Sequence, residues 1–299
     1  MTLQQLRYIT MVAEKGTISE AAKELFISQP SLTNAIRELE QEMQVTIFHR
    51  TNKGVTITAE GDEFLAYARQ ILDQVGLMQE RYLNVNERNP RFSVSCQHYS
   101  FAVNAFVDVI RKFDARKYDF TLRETQTYEI IEDVARLRSE IGILFINDFN
   151  EAVIRKILKS YELEFHELFT ARPHVFISRK HPLAECSVIH NEQLEEYPYL
   201  SFEQGEHNSF YFSEEIFSET ARKKNIRVRD RATLFNLLIG LNGYTVSSGI
   251  LDKKLNGKDI IAVPLADESD MHIGYITHRK GMLSRLGSTY LEAIRKYLK

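Results

Sequence analysis

AAKELFISQPSLTNAIRELE, residues 21–40, decides how the front of this chain is read. Ser28 stands where a helix cap belongs, with Pro30 in the first turn after it. Leu32, Ile36 and Leu39 then repeat at helical spacing, while Gln29, Ser31, Thr33, Asn34 and Arg37 fall on or near the other side. Upstream, SEAAKELF (19–26) predicts a shorter helix with Ala21, Ala22 and Leu25 inward, and its small alanines permit another helix to come close. Thr17, three residues before Glu20, has capping-box spacing. Leu3, Leu6, Ile9 and Ala13 predict a first helix ending near Gly16. Three short helices with a tight turn at Ile27–Ser28 make a helix-turn-helix pattern.

A helix start that presents amides and hydroxyls suits the major groove, whose base edges offer both donors and acceptors. Its open N–H groups suit phosphate. Next, VTIFHRTNKGVTIT (45–58) holds two β-rich runs around Thr51–Gly54 and predicts a hairpin with Arg50 and Lys53 near its tip. Charge does not help this reading. The chain carries a net −3, and residues 1–60 hold six Lys/Arg against seven Asp/Glu, whereas a nucleic-acid-binding domain is usually basic. Helix-turn-helix shapes also occur in proteins that never meet DNA.

AAKELFISQPSLTNAIRELE followed by FHRTNKGVTITAEG (48–61) resembles the winged helix-turn-helix of LysR-type transcriptional regulators. The paired alanines, the S-Q-P start, the I-x-x-L-E end, F-x-R and the close from Thr58 to Gly61 fall in that family's order over about 60 residues. The resemblance implies that Gln29, Pro30, Ser31, Thr33, Asn34 and Arg37 face operator DNA from a recognition helix. Arg50 and Lys53 would act from the wing.

Residues 59–88 carry a narrow stripe. Phe64, Ala68, Ile71, Val75, Met78, Tyr82 and Val85 are spaced 4-3-4-3-4-3, an a/d repeat suited to meeting another helix. The alternative is an amphipathic helix folded back on its own domain. The family resemblance implies a linker helix that makes a homodimer, with a homotetramer on DNA.

From residue 89 the pattern changes. FSVSC (92–96) alternates like a strand, 101–113 reads as a helix, 118–124 as a strand, 128–139 as a helix, and IGILFI (141–146) as a fully buried strand. This alternation implies a parallel sheet covered on both faces. After residue 160, 163–169 and 174–179 are strand-like, SEEIFSETARKK (213–224) helical, 226–232 strand-like, 233–241 helical, and 286–298 an amphipathic helix. RKHPLAE (179–185), EQLEEYPYLSF (192–202) and GLNGYTVSSGI (240–250) resemble the effector-binding domain of the same family.

The expected organisation is therefore a DNA-binding domain at 1–58, an all-α winged helix-turn-helix, and a linker helix at 59–88. An α/β effector domain at 89–299 follows, similar in fold to periplasmic binding proteins. Its subdomain I takes about 89–161 and 268–299, and its subdomain II about 162–267.

Ligands in open sheets sit beyond the carboxyl ends of strands. That rule marks Ser95, Gln97, His98, Ser100, Thr127, Ser201, Phe202 and Glu203, and the resemblance adds Thr245 in the 243–248 loop. Helices starting at Ser100 and Thr127 suggest a small anionic effector, unless those two residues are plain caps. Gln97, His98, Tyr99 and Tyr128 are bulky and disfavour a large ligand.

Enzyme chemistry has no motif here: GxSxG, GxGxxG and HExxH are all absent from the sequence. The second reading of the chain is a solute-binding or catalytic α/β protein with an incidental helical N-terminus. Cys96 and Cys186 stand far apart and form no CxxC, so neither a disulfide framework nor a metal cluster is expected. Redox sensing through Cys96 is the alternative to a small-molecule effector. No cofactor is expected. Residues 1–16 lack the features of a secretory signal, and no 18-residue apolar run suggests a membrane span. The expected place is the cytoplasm, with operator DNA and a small molecule as partners and RNA polymerase as a further candidate.

Overall fold

The computed structural model describes residues 1–51, 54–83, 91–113, 118–207, 209–220, 222–251, 258–266, 269–279, 281 and 283–297. The chain divides into two units, Met1–Arg88 and Asn89–Lys299.

In the first unit, helices α1 (Leu3–Lys15), α2 (Ile18–Glu24) and α3 (Gln29–Met43) precede a hairpin of β1 (Phe48–Thr51) and β2 (Gly54–Ile57), and α4 (Ala59–Leu83) follows. Each start has a sequence cause. Thr2 caps α1 in a full capping box with Gln5. The Thr17 and Ser28 hydroxyls accept the Glu20 and Ser31 amides at 3.2 and 3.3 Å. The inward stripes meet in one core, where Leu6, Ile9, Ala21, Leu32, Ile36, Leu39 and Leu65 are buried. Burying each of the larger aliphatic side chains contributes about 1.5–3 kcal/mol.

The hairpin is tied down by small contacts. Glu40 Oε1, at the end of the I-x-x-L-E run, accepts from the Ile47 and Phe48 amides at 2.7 and 3.1 Å. Gly54 takes φ 136° against the end of α1, where a Cβ would lie 2.5 Å from the Gly16 carbonyl oxygen. The Thr58 hydroxyl accepts the Gly61 amide at 2.8 Å and so begins α4.

The second unit contains β3 (Arg91–Cys96), α5 (Ser100–Lys112), β4 (Asp119–Glu124), α6 (Thr127–Ala135), β5 (Ile141–Ile146), α7 (Glu151–Ser160) and β6 (Leu163–Ala171). After these come β7 (His174–Ser178), β8 (Tyr199–Phe202), β9 (Asn225–Val228), α8 (Arg231–Leu241), β10 (Tyr244–Ser247), β11 (Ile260–Pro264), β12 (Met271–His278) and α9 (Arg285–Ile294). They build two sheets, ordered β4-β3-β5-β12-β6 and β11-β7-β10-β8-β9. The apolar run IGILFI is β5, buried at every position in the middle of the first sheet.

Several expectations are corrected. The sheets are mixed: β3, β4 and β5 run parallel, but β12 is antiparallel to both β5 and β6. The boundary near residue 161 moves, because β6 pairs with β12 in the first sheet and the second sheet begins only at β7. Residues 213–220 and 222–224 form turns and bends rather than a helix. Glu214 and Glu215 both turn inward there to hydrogen-bond buried groups, and Phe217 takes φ 57°, which breaks a helical run. The strand expected over 226–232 stops at Val228, since Asp230 caps α8 through the Thr233 amide at 2.8 Å. At the C-terminal ends, α6 stops at Ala135 and α9 at Ile294, each short of its expected end.

Candidate DNA interface and effector cavity

In the first unit, α3 sorts its residues by face. Gln29, Pro30, Ser31, Asn34 and Arg37 are exposed and Thr33 half-buried, while Leu32, Ile36 and Leu39 are buried. The Ser19 hydroxyl donates to Gln29 Oε1 at 3.1 Å, which orients the Gln29 amide from α2. The Ser28 and Ser31 hydroxyls lie 2.7 Å apart. Arg50 is exposed on β1. Lys53 lies outside the described residues. Sequence reasoning passed over Phe26, in the turn before α3, which is 96% exposed at φ 54°.

The stripe on α4 divides. Its first part serves its own unit, with Ala68 buried and Phe64 packed on the helical core. Beyond it Ile71 and Met78 are exposed, as is Tyr67, and Val75 is half-buried. The Tyr82 side chain and Val85 lie outside the described residues.

In the second unit a cavity of about 490 Å³ of non-atom space, its open mouth included, lies at the start of α5 and along α8 and β10. Of the residues expected to form an effector site, His98, Ser100, Phe202 and Thr245 line it. The others have different work. Ser95 is fully buried and bonds Asp133 and Ser139 at 2.7 and 2.8 Å. Ser201 is a buried residue of β8, and Glu203 pairs with Arg229. Gln97 bonds the Thr127 hydroxyl at 2.6 Å and the Phe145 amide at 3.1 Å. Neither Ser100 nor Thr127 is a helix cap; the caps are Tyr99 and Gln126.

The two places expected to receive an anion are occupied by the protein itself. Ahead of α5, the His98 amide donates to Glu214 Oε2 at 2.8 Å, and His98 Nδ1 lies 2.9 Å from the same oxygen. At the start of α6, the Thr127 amide donates to Gln204 Oε1 at 3.0 Å. Both acceptors come from the segment after β8. The His98 ring also stacks on Phe202 with centroids 3.7 Å apart.

Sequence reasoning missed Gln204, Glu214, Glu215 and Arg231. Glu214 and Glu215 fall in a stretch that reads as helix and Arg231 in one that reads as strand, and nothing in the local pattern marks two adjacent glutamates as buried. Arg231 pairs with Glu124 at 3.1 Å. Glu215 Oε1 accepts the Phe202 amide at 2.9 Å. Burial, and then the Glu214 charge, push the Glu215 carboxyl well up.

Cys96 is fully buried, and burial, then Glu124 and Glu214, push its thiol well up. Cys186 is half-buried and both cysteines are free. Among the described residues no cluster of three His, Cys, Asp or Glu could hold a metal, and no helix is long and apolar enough to cross a membrane.

Residues 3–62 match the family described as bacterial regulatory helix-turn-helix protein, lysR family, and residues 86–299 match the LysR substrate binding domain. The transcriptional regulator AlsR of Bacillus subtilis is 26% identical over 304 residues, covering 99% of this chain and 91% of that protein. The regulator ClcR of Pseudomonas putida is 50% identical over 72 residues, 24% of each chain. Among solved structures, a full-length OxyR variant from Pseudomonas aeruginosa superposes with a TM-score of 0.69 at 20% identity, over 99% of this chain and 98% of that one.

Proposed function

This chain belongs to the LysR family of DNA-binding transcriptional regulators, and on that premise we propose how it reads DNA and how a small molecule governs the reading. The exposed start of α3 enters the major groove, with Gln29, Ser31, Thr33 and Asn34 toward base edges and Arg37 toward phosphate. Arg50 and Lys53 hold the backbone from the wing. The observation that carries this reading is the sorting of α3, where every wholly apolar aliphatic side chain of the stripe is buried and the amides and hydroxyls of the first turn are presented outward.

Two copies join along the exposed part of α4, so that two recognition helices meet two half-sites. Pairing also offsets the acidic balance of a single DNA-binding unit by doubling the cations on one duplex. Pairs of dimers form a tetramer on DNA. RNA polymerase is a further partner, and the working compartment is the cytoplasm.

The effector is a small molecule held in the cavity beside His98, Ser100, Phe202 and Thr245. It acts by population shift: it binds one arrangement of the two sheets better than another and changes how the dimers assemble. Redox sensing through Cys96 is disfavoured, because a reactive thiol needs a lowered pKa and access to oxidant, and this one is buried and raised. The likeness to OxyR is one of fold at 20% identity.

The test is selection of duplexes from a random-sequence pool by the purified full chain, followed by gel shifts at rising salt. A two-half-site consensus whose affinity falls steeply with salt is expected. Recovery of no consensus, with equal affinity for all sequences, overturns it.

A further inference from the structure

The charges around the cavity do not balance. Glu214 is paired with His98, and Glu124 with Arg231. Glu215 is 3% exposed and lines the cavity, and among the described residues it forms no ion pair. Its Oε2 has no hydrogen-bond partner among the described residues. The same holds for Thr245 Oγ1 and for Arg231 Nη1, both from residues that line the cavity. Buried polar atoms left unbonded are costly, and a group of them around one cavity marks what the occupant must bring.

Resting on the reading that this cavity holds the effector, we propose that the effector is a small protonated amine carrying a hydrogen-bond acceptor a few bonds away, of the amino-acid or amino-alcohol class. The ammonium group donates to Glu215 Oε2 and supplies the missing positive charge. The acceptor meets Arg231 Nη1, and the Thr245 hydroxyl bonds either end. A short apolar body lies against Leu234, Phe235 and Ile250, which line the cavity beside these groups. A purely anionic ligand, the expectation from the helix starts, would instead face the carboxyls of Glu214 and Glu215. It would also have to displace Glu214 from the His98 amide.

The upward push on Glu215 fits this assignment. With the cavity empty its carboxyl is held toward the neutral form by burial and by Glu214. An arriving ammonium favours the carboxylate and releases that proton.

Three probes of one skeleton separate the possibilities in thermal-shift measurements on the full chain: L-leucine, 3-methylbutylamine and 4-methylpentanoate. Leucine is expected to raise Tm by at least about 2 °C at millimolar concentration, the amine by less, and the acid not at all. Glu215→Gln removes the advantage of leucine and of the amine, and Thr245→Val weakens leucine. Each shift is measured within one variant, so a lower starting Tm does not blur it. If the acid matches or exceeds leucine and its shift falls in Thr245→Val, the ligand class is wrong and the cavity reading stands. No shift from any probe also overturns the ligand class. Equal shifts in wild type and both variants place the probes elsewhere and count against the cavity itself.

Discussion

His98 and Glu214 hold each other through backbone and side chain at once. The His98 amide donates to Glu214 Oε2 at 2.8 Å, and Nδ1 lies 3.0 and 2.9 Å from the two carboxylate oxygens. Both side chains are 5% exposed. One residue follows the last strand turn of β3 in the first sheet, and the other comes from the segment after β8 in the second. The pair therefore ties the two sheets of the second unit together beside the cavity that both residues line.

Removing one side of a buried pair strands the other. Glu214→Ala leaves the His98 amide and ring without their acceptor, and is expected to cost about 3–5 kcal/mol. Glu214→Gln keeps an acceptor and loses the charge, so its cost is smaller. Urea unfolding followed by far-ultraviolet dichroism orders the three proteins. Equal midpoints for wild type and Glu214→Ala show that the pair contributes nothing.

The same pair makes stability depend on pH. Burial works against the charged His98 ring, but the charge and hydrogen bond of Glu214, with the charge of Glu124 behind it, outweigh burial and the nearby Arg231. The result is a pKa raised above 6.5. A group raised on folding contributes in full below its unfolded pKa, and that contribution is lost as pH climbs through the folded value. Glu124 and Glu215 are also raised, burial first among the causes, so rising pH costs stability at those sites too. Asp230 also lies within electrostatic reach of His98. The Tm gap between wild type and His98→Asn should be widest below about pH 6.5 and narrow as the pH climbs above it. A gap independent of pH removes the imidazolium from the pair.

Much of this molecule was legible from short-range pattern. The caps at Thr17 and Ser28, the inward stripe of α3, the hairpin and the buried run of β5 follow from local spacing, and each is found where that spacing puts it. The failures share one cause. Glu214 and Glu215 sit in a stretch with good helical propensity, but long-range bonds to His98 and Phe202 draw both inward and unwind it. Likewise β12, which makes the first sheet mixed, pairs with β5 more than a hundred residues earlier in the chain. No local period reports such a partner. Of the expected effector residues, Ser95 was misplaced for a related reason. It ends in a network with buried Asp133 and Ser139, which Arg123 reaches from the surface, all supplied by other segments.

On the DNA side, phosphate and base contacts separate by their dependence on sequence. Arg50 is exposed on the wing, so Arg50→Ala should weaken operator and random duplexes alike, with a salt slope shallower by about 1. Gln29→Ala should cost about 1–3 kcal/mol on the operator and relax base preference at one position of each half-site. Titrations of both variants on matched operator and random duplexes check this. Equal losses for Gln29→Ala on the two duplexes take Gln29 out of the base-reading set.

The divided stripe on α4 makes the last prediction. Phe64 and Ala68 pack on their own helical core, whereas Ile71 and Met78 are 38% and 56% exposed. An aspartate at position 64 or 68 therefore unfolds the DNA-binding unit. An aspartate at Ile71 or Met78 leaves it folded and places a charge where a second copy would bury the residue. Taking one such charge out of water without a partner costs several kcal/mol, so Ile71→Asp should weaken dimerisation by about a hundredfold or more. Val75→Asp, half-buried between them, should act the same way. Sedimentation velocity at micromolar chain reads the mass, thermal melting shows that the unit stays folded, and operator binding should fall with the dimer. If Ile71→Asp and Met78→Asp both sediment as wild type and shift operator DNA at the same concentration, copies of the chain do not meet along this helix.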